Sequence, residues 1–128
     1  MFIMHENDLS YIIRGCIFKV YNATGPGLLE SAYEMALAYE LRKSGLEVET
    51  QVGLPFQYES IQLDLCYRLD ILVNKKVIIE IKSVESLTDV HFKQLTTYLK
   101  LADKRLGILV NFNTSKIDSS IKRIVNNL

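Results

Sequence analysis

The chain has 128 residues, of which 48% are hydrophobic and 23% charged, and its formal net charge is zero. This length and composition predict one globular domain, residues 1–128, with one hydrophobic core. They exclude a membrane-spanning helix, because no apolar run approaches the roughly 20 residues it needs, and a protein that binds nucleic acid through overall basic charge alone.

Two helices are predicted at the N terminus. The first has Asn7 or Asp8 as its N-cap and apolar residues at helical spacing, namely Leu9, Ile12, Ile13, Cys16, Ile17 and Val20. The stretch "NATGPG", residues 22–27, breaks this helix, and Pro26 is placed to open the next one. The second helix is predicted from about Leu28 to Ser44.

The hydrophobic period then changes to two, which predicts strands. Three strands follow in succession: "EVETQVGLPFQYE", "IQLDLCYRLDILV" and "KVIIEIKSV". The connections between them are short, so we expect an antiparallel meander.

In the last third of the chain, the spacing of apolar residues predicts a helix, a strand and a second helix. Thr88 is placed to cap a helix that runs to about Ala102, and "RLGILVNF" predicts a buried strand. A final helix is predicted from apolar residues on one face, namely Ile117, Ile121, Ile124, Val125 and Leu128. A helix that crosses between two strands places them parallel, so we predict a mixed sheet flanked by helices, in the order α, α, β, β, β, α, β, α.

The stretch "VIIEIKSVE", residues 77–85, combines a buried strand with charge. Its apolar residues predict burial on at least one face, yet Glu80 and Lys82 lie in its middle. Side chains two residues apart on a strand share a face, so Glu80 and Lys82 project together while Ile79 and Ile81 face the other way.

The preceding strand brings a second carboxylate to the same place. A hairpin loop of residues 74–76 would pair Val73 with Val77 and set Asp70 opposite Glu80. Two facing carboxylates repel each other, and burying either one unpaired is costly. The sequence therefore predicts a positive group between them.

Lys82 offsets one of these charges, and a hard divalent cation suits the remainder, because Mg²⁺ takes oxygen ligands from carboxylates, water and substrate phosphate. The cysteines, Cys16 and Cys66, and the histidines, His5 and His91, lack zinc-site spacing, so we expect oxygen ligands. A metal beside a lysine is typical of hydrolysis. The metal activates water and neutralises developing charge, while the lysine positions the nucleophile or stabilises the transition state.

These residues carry a resemblance to a known superfamily. Asp70 followed by Glu80, Ile81 and Lys82 resembles the PD-(D/E)XK nuclease motif, although Leu69 stands where the motif often has proline. The predicted order α-β-β-β-α-β is similar to that superfamily's core. The resemblance implies an α/β, restriction-endonuclease-like fold, here with extra N- and C-terminal helices.

A narrower resemblance comes from "GLLESAY", in which Gly27, Glu30 and Tyr33 match the signature of the GxxExxY proteins, a bacterial family assigned to the same superfamily. The similarity continues through "YRLDILV", "IIEIKSVE", "HFKQLTTYLK" and "GILVNF" and covers nearly the whole chain.

The resemblance implies a metal site for Mg²⁺ or Mn²⁺. Asp70 and Glu80 would be ligands together with the backbone carbonyl of Ile81, and Lys82 would be the catalytic lysine. Glu30 would match an additional acidic ligand from the first core helix. From the residues alone, Glu80 and Lys82 could also be an exposed strand pair, and Glu30 could simply favour the N-terminus of its helix. Tyr33 is more simply a packing residue.

Four further residues are candidates for the substrate side. The resemblance implies that Gln94 and Tyr98 match a QxxxY element, and His91 lies three residues before Gln94, so these side chains could line one edge of a cleft. Arg68 shares the face of Asp70 and could bind a phosphate. The alternatives are a surface position for His91, a core position for Tyr98 and an ion pair for Arg68.

We therefore predict a metal-dependent nuclease that hydrolyses phosphodiester bonds in DNA or RNA. The alternative is a non-catalytic module that binds nucleic acid or protein. Residues 30–70 hold eight acidic and three basic side chains, and residues 71–128 hold ten basic and five acidic ones, so a polyanion could prefer one face. A small monomer has little surface for a duplex, which favours a homodimer or a partner protein. With no signal segment or membrane helix in view, the default location is cytoplasmic.

Overall fold

The computed structural model describes residues 3–128, except for the side chains of residues 64–66, which include the Cys66 thiol considered above. The elements are α1 (Glu6–Thr24), α2 (Glu30–Lys43), β1 (Val48–Tyr58), β2 (Ile61–Val73), β3 (Val77–Lys82), α3 (Asp89–Ala102), β4 (Leu106–Asn111), a short 3₁₀ helix (Ile117–Ser120) and β5 (Ile121–Val125). Within residues 3–128, no helix has both the length and the apolarity to cross a membrane.

The five strands form one sheet in which their spatial order equals their order in the chain. β1 and β2, β2 and β3, and β4 and β5 pair antiparallel, whereas β3 and β4 pair parallel and are joined by α3. The antiparallel meander and the mixed sheet are confirmed. The hairpin between β2 and β3 has the predicted register, with Val73 opposite Val77.

Helices cover both faces of the sheet. One apolar core lies between the sheet and helices α1 and α2, and a smaller one lies between the sheet and α3. A strand that is covered on both sides reads as a continuous apolar run, and residues 77–81 of β3 are all buried. Ile78 packs in the α3 core, so Glu80, two residues later, is directed to the same desolvated side.

The starts of the first two helices differ from the prediction. His5, not Asn7 or Asp8, is the N-cap of α1: its Nδ1 accepts the N–H of Asn7 at 3.0 Å, and the Asp8 carboxylate accepts the N–H of His5 at 3.3 Å. An imidazole nitrogen can accept a capping hydrogen bond as a carboxylate does. Helix α2 begins at Glu30, after Leu29, whose extended backbone makes it the N-cap.

The predicted C-terminal helix is wrong. Residues 117–120 form one 3₁₀ turn, and residues 121–125 form β5, which pairs with β4 from Leu106 opposite Val125 to Val110 opposite Ile121. The apolar spacing fits either structure in so short a segment. The strand forms because β4 is fully buried and its outer edge needs hydrogen-bond partners.

Candidate active site

The β2–β3 ladder ends at the pair Ile71 and Ile79, and two carboxylates take over its hydrogen bonding. The N–H of Asp70 donates to Glu80 Oε2 at 2.9 Å, and the N–H of Ile81 donates to Asp70 Oδ2 at 2.8 Å. Each carboxylate thus accepts a backbone N–H from the opposite strand. This arrangement places Asp70 and Glu80 face to face, as the hairpin register predicted.

Burial makes this carboxylate pair electrostatically unfavourable. Glu80 is only 4% exposed, and burial, together with the charge of Asp70, raises the pKa of its carboxyl to about 8. Burial also raises the pKa of Asp70, although the N–H of Ile81 and the charge of Lys82 oppose this. Each acid therefore resists ionising near the other, and a nearby positive charge favours the ionised pair.

Glu34 and Gln51, which sequence reasoning missed, also lie near the carboxylate pair. Burial raises the pKa of the Glu34 carboxyl on α2, and the charge of Asp70 adds to this effect. Gln51 of β1 donates its Nε2 to Glu34 Oε1 at 2.6 Å and has a left-handed backbone conformation, φ 52°. The only signal in the sequence is that Glu34 lies one helical turn after Glu30 on the same face.

Lys82 lies on the same side of β3 as Glu80, and its charge lowers the pKa of both Glu80 and Asp70. Its Nζ donates to Gln94 Oε1 of α3 at 3.5 Å. The structure thus brings together the lysine, the two acids and Gln94. Lys82 therefore supplies at least part of the positive charge that the sequence predicts beside the carboxylates.

The direction of the Ile81 carbonyl follows from its neighbours. The carbonyl of Lys82 accepts the N–H of Phe112 at 3.0 Å, so it faces β4. Backbone carbonyls alternate in direction along a strand. The Ile81 carbonyl therefore faces β2, the side on which the Asp70 carboxylate lies.

Glu30, the first residue of α2, reaches the end of β3. Its Oε2 accepts the N–H of Ser83 at 3.1 Å, and its charge raises the pKa of Asp70. Ser83 also donates its Oγ to the carbonyl of Leu28 at 2.8 Å. Sequence reasoning missed Ser83, which attaches the end of the motif strand to the segment before α2.

The chain was compared with known proteins in sequence and in structure. A sequence model of the PD-(D/E)XK nuclease superfamily matches residues 7–124. The chain belongs to this superfamily. A search of curated proteins found no match. Among solved structures, the "Crystal structure of SSO0001" is similar in fold, with a TM-score of 0.55 and 18% identity over 94% of this chain and 78% of that one.

Membership of the PD-(D/E)XK superfamily confirms the predicted restriction-endonuclease-like α/β class. The narrower resemblance to GxxExxY proteins stays a prediction. In this superfamily chain, no group of three or more His, Cys, Asp and Glu side chains surrounds a single point among the described residues. Any metal site would therefore rest on the carboxylate pair and other oxygens.

The remaining candidates of this PD-(D/E)XK chain differ in exposure. Arg68 is exposed and donates to the Gln51 carbonyl at 3.4 Å. Tyr98 is 5% exposed, and burial, with the charges of Glu80 and Asp70, raises the pKa of its hydroxyl to about 12. The Nδ1 of His91 accepts the N–H of Thr88 at 3.1 Å, so this ring caps α3.

Proposed function

We propose that this chain is a metal-dependent nuclease that hydrolyses phosphodiester bonds, with residues 1–128 acting as one domain. The observation that carries the proposal is the pair of Asp70 and Glu80, which face each other across two strand ends with the ammonium of Lys82 beside them. Burying two like charges is costly. Acids with such perturbed pKa values are concentrated at functional sites.

The donor set fits a hard divalent cation, Mg²⁺ or Mn²⁺, since such an ion needs only one or two protein carboxylates beside water and phosphate oxygens. Asp70 and Glu80 would hold it together with the Ile81 carbonyl, and Glu30, whose charge acts on Asp70, would assist from the first turn of α2. When bound, the ion would lower the pKa of a coordinated water and neutralise charge on the phosphoryl group. Both carboxylates would then be ionised near neutral pH.

The other residues would act on the substrate. The ammonium of Lys82 would stabilise negative charge at the attacking water and the phosphate, and Gln94 would orient it by accepting its hydrogen bond. The exposed guanidinium of Arg68 would bind a neighbouring phosphate. His91 would offer its Nε2, and Tyr98 its hydroxyl, to the substrate.

The test is a cleavage assay on single- and double-stranded DNA and RNA with Mg²⁺ or Mn²⁺. We expect hydrolysis of at least one substrate, loss of activity with EDTA, and a decrease of ~100-fold or more in Asp70→Asn, because the amide removes the charge that would hold the ion.

A matched control is Asp118→Asn, which changes an exposed aspartate that also accepts a backbone N–H, at 2.9 Å from Ser119. This variant should cleave at the wild-type rate. If the folded wild-type protein cleaves none of the four substrates, the proposal fails, and the non-catalytic binding module becomes the better account.

A further inference from the structure

The segment between α1 and α2 is held by one buried side chain. The hydroxyl of Tyr33 donates to the carbonyl of Gly25 at 2.6 Å and accepts the N–H of Leu28 at 3.1 Å. Between these two points, Gly27 has a φ of 103°, which side chains other than glycine rarely adopt. The Tyr33 hydroxyl thus bonds to residues on both sides of Gly27, in a segment whose backbone conformation depends on this glycine.

This segment in turn holds the end of the motif strand. Ser83, the residue after Lys82, donates its hydroxyl to the Leu28 carbonyl at 2.8 Å and its N–H to Glu30 at 3.1 Å. The three signature residues of "GLLESAY" therefore contribute to one structure. Gly27 allows the backbone conformation of the segment, Glu30 accepts the N–H of Ser83, and the Tyr33 hydroxyl fixes the position of the segment.

The ring of Tyr33 supports Lys82 from a second direction. It is fully buried and stacks on Phe112, with ring centroids 4.2 Å apart and planes at 6°. The N–H of Phe112 donates to the carbonyl of Lys82 at 3.0 Å. Tyr33 thus packs its ring on Phe112, which bonds the carbonyl of Lys82, and its hydroxyl holds Leu28, which bonds Ser83, the next residue.

We propose that Tyr33 is a positioning residue for the catalytic lysine. This inference rests on the proposed function, in which Lys82 acts at the phosphate. The side chain of Lys82 makes one long hydrogen bond, to Gln94 at 3.5 Å, so a shift of the Lys82 backbone would move its ammonium. A displacement of about 1 Å in a catalytic group can cost about 100-fold in rate.

The variant Tyr33→Phe tests this inference, because it keeps the stacked ring and removes only the hydroxyl. We expect kcat to fall by ~10-fold or more with little change in KM, since the lysine is misplaced while substrate contacts remain. Ser83→Ala should have a similar effect, and the double variant should lose little more, because both act through Leu28.

The matched control is Ser44→Ala, which also removes a hydroxyl bonded to a backbone carbonyl, that of Glu40 at 3.1 Å, but at the far end of α2. It should leave kcat unchanged. The rates are normalised to the fraction of folded protein, so that activity lost through unfolding is not attributed to a misplaced Lys82.

Amide hydrogen exchange gives a second readout that needs no substrate. The N–H of Ser83 should exchange ~10-fold or more faster in Tyr33→Phe, while amides of β4 keep their protection. Unchanged Ser83 exchange would overturn the inference even if the chain cleaved nothing. A Tyr33→Phe enzyme with wild-type kcat would overturn it while leaving the proposed nuclease function intact.

Discussion

Replacement of Lys82 by alanine is expected to reduce cleavage by ~100-fold or more while the protein stays folded. The charge of the Lys82 ammonium lowers the pKa of both Asp70 and Glu80. Without the Lys82 ammonium, the negative charge that develops at the phosphate is no longer stabilised by this lysine. The measurement is the single-turnover rate on the best substrate, with circular dichroism to verify the fold.

The control for Lys82→Ala is Lys75→Ala. Lys75 lies in the β2–β3 turn, where its Nζ is 3.0 Å from Glu49 and exposed, and exposed ion pairs contribute little to stability. Lys75→Ala should therefore cleave normally. Cleavage by Lys82→Ala at the wild-type rate would contradict the assigned role of the lysine.

Glu80→Gln is expected to stabilise the metal-free protein at alkaline pH and to abolish cleavage. The pKa of the Glu80 carboxyl rises from its ordinary value of 4.5 to about 8 on folding. Between these values the folded protein holds a proton that the unfolded chain releases, so wild-type stability falls as pH rises through this window. Glutamine is neutral, fills the same space and can still accept the N–H of Asp70.

The difference between variant and wild type should therefore be small at pH 5 and grow to a few kcal/mol at pH 9, since one pKa unit corresponds to about 1.4 kcal/mol. Urea unfolding in EDTA at pH 5, 7 and 9 measures it. Glu47→Gln, at an exposed residue near the β2–β3 turn, should show no such trend. If Glu80→Gln is less stable than wild type at pH 9, the carboxylate is not strained in the metal-free protein.

The central part of the site was predictable because local geometry determines it. A three-residue loop between two alternating apolar strands leaves one register that keeps Val73 and Val77 buried, and that register alone sets Asp70 opposite Glu80. The common face of Glu80 and Lys82 follows from the strand period. The approach of Gln94 follows from a crossover helix packed over that face.

The parts that could not be predicted depend on distant contacts. Glu34 and Gln51 lie near Asp70, on α2 and β1, and the sequence gives a signal only for Glu34, one helical turn after Glu30. The C-terminal segment has an apolar pattern that suits a helix, yet it forms β5 because the edge of β4 is open. For Tyr33 the sequence indicates packing alone, because a hydroxyl that bonds to backbone groups leaves no pattern in the sequence.

The most direct test of the account is a calorimetric titration of the metal-free protein with Mn²⁺ at millimolar concentration, alongside Asp70→Asn. No substrate needs to be known for this measurement. We predict that the wild-type protein and Asp118→Asn bind Mn²⁺ and that Asp70→Asn does not. If Asp70→Asn binds as tightly as wild type, or if none of the folded proteins binds, the facing carboxylates are not a metal site and the proposed mechanism is wrong.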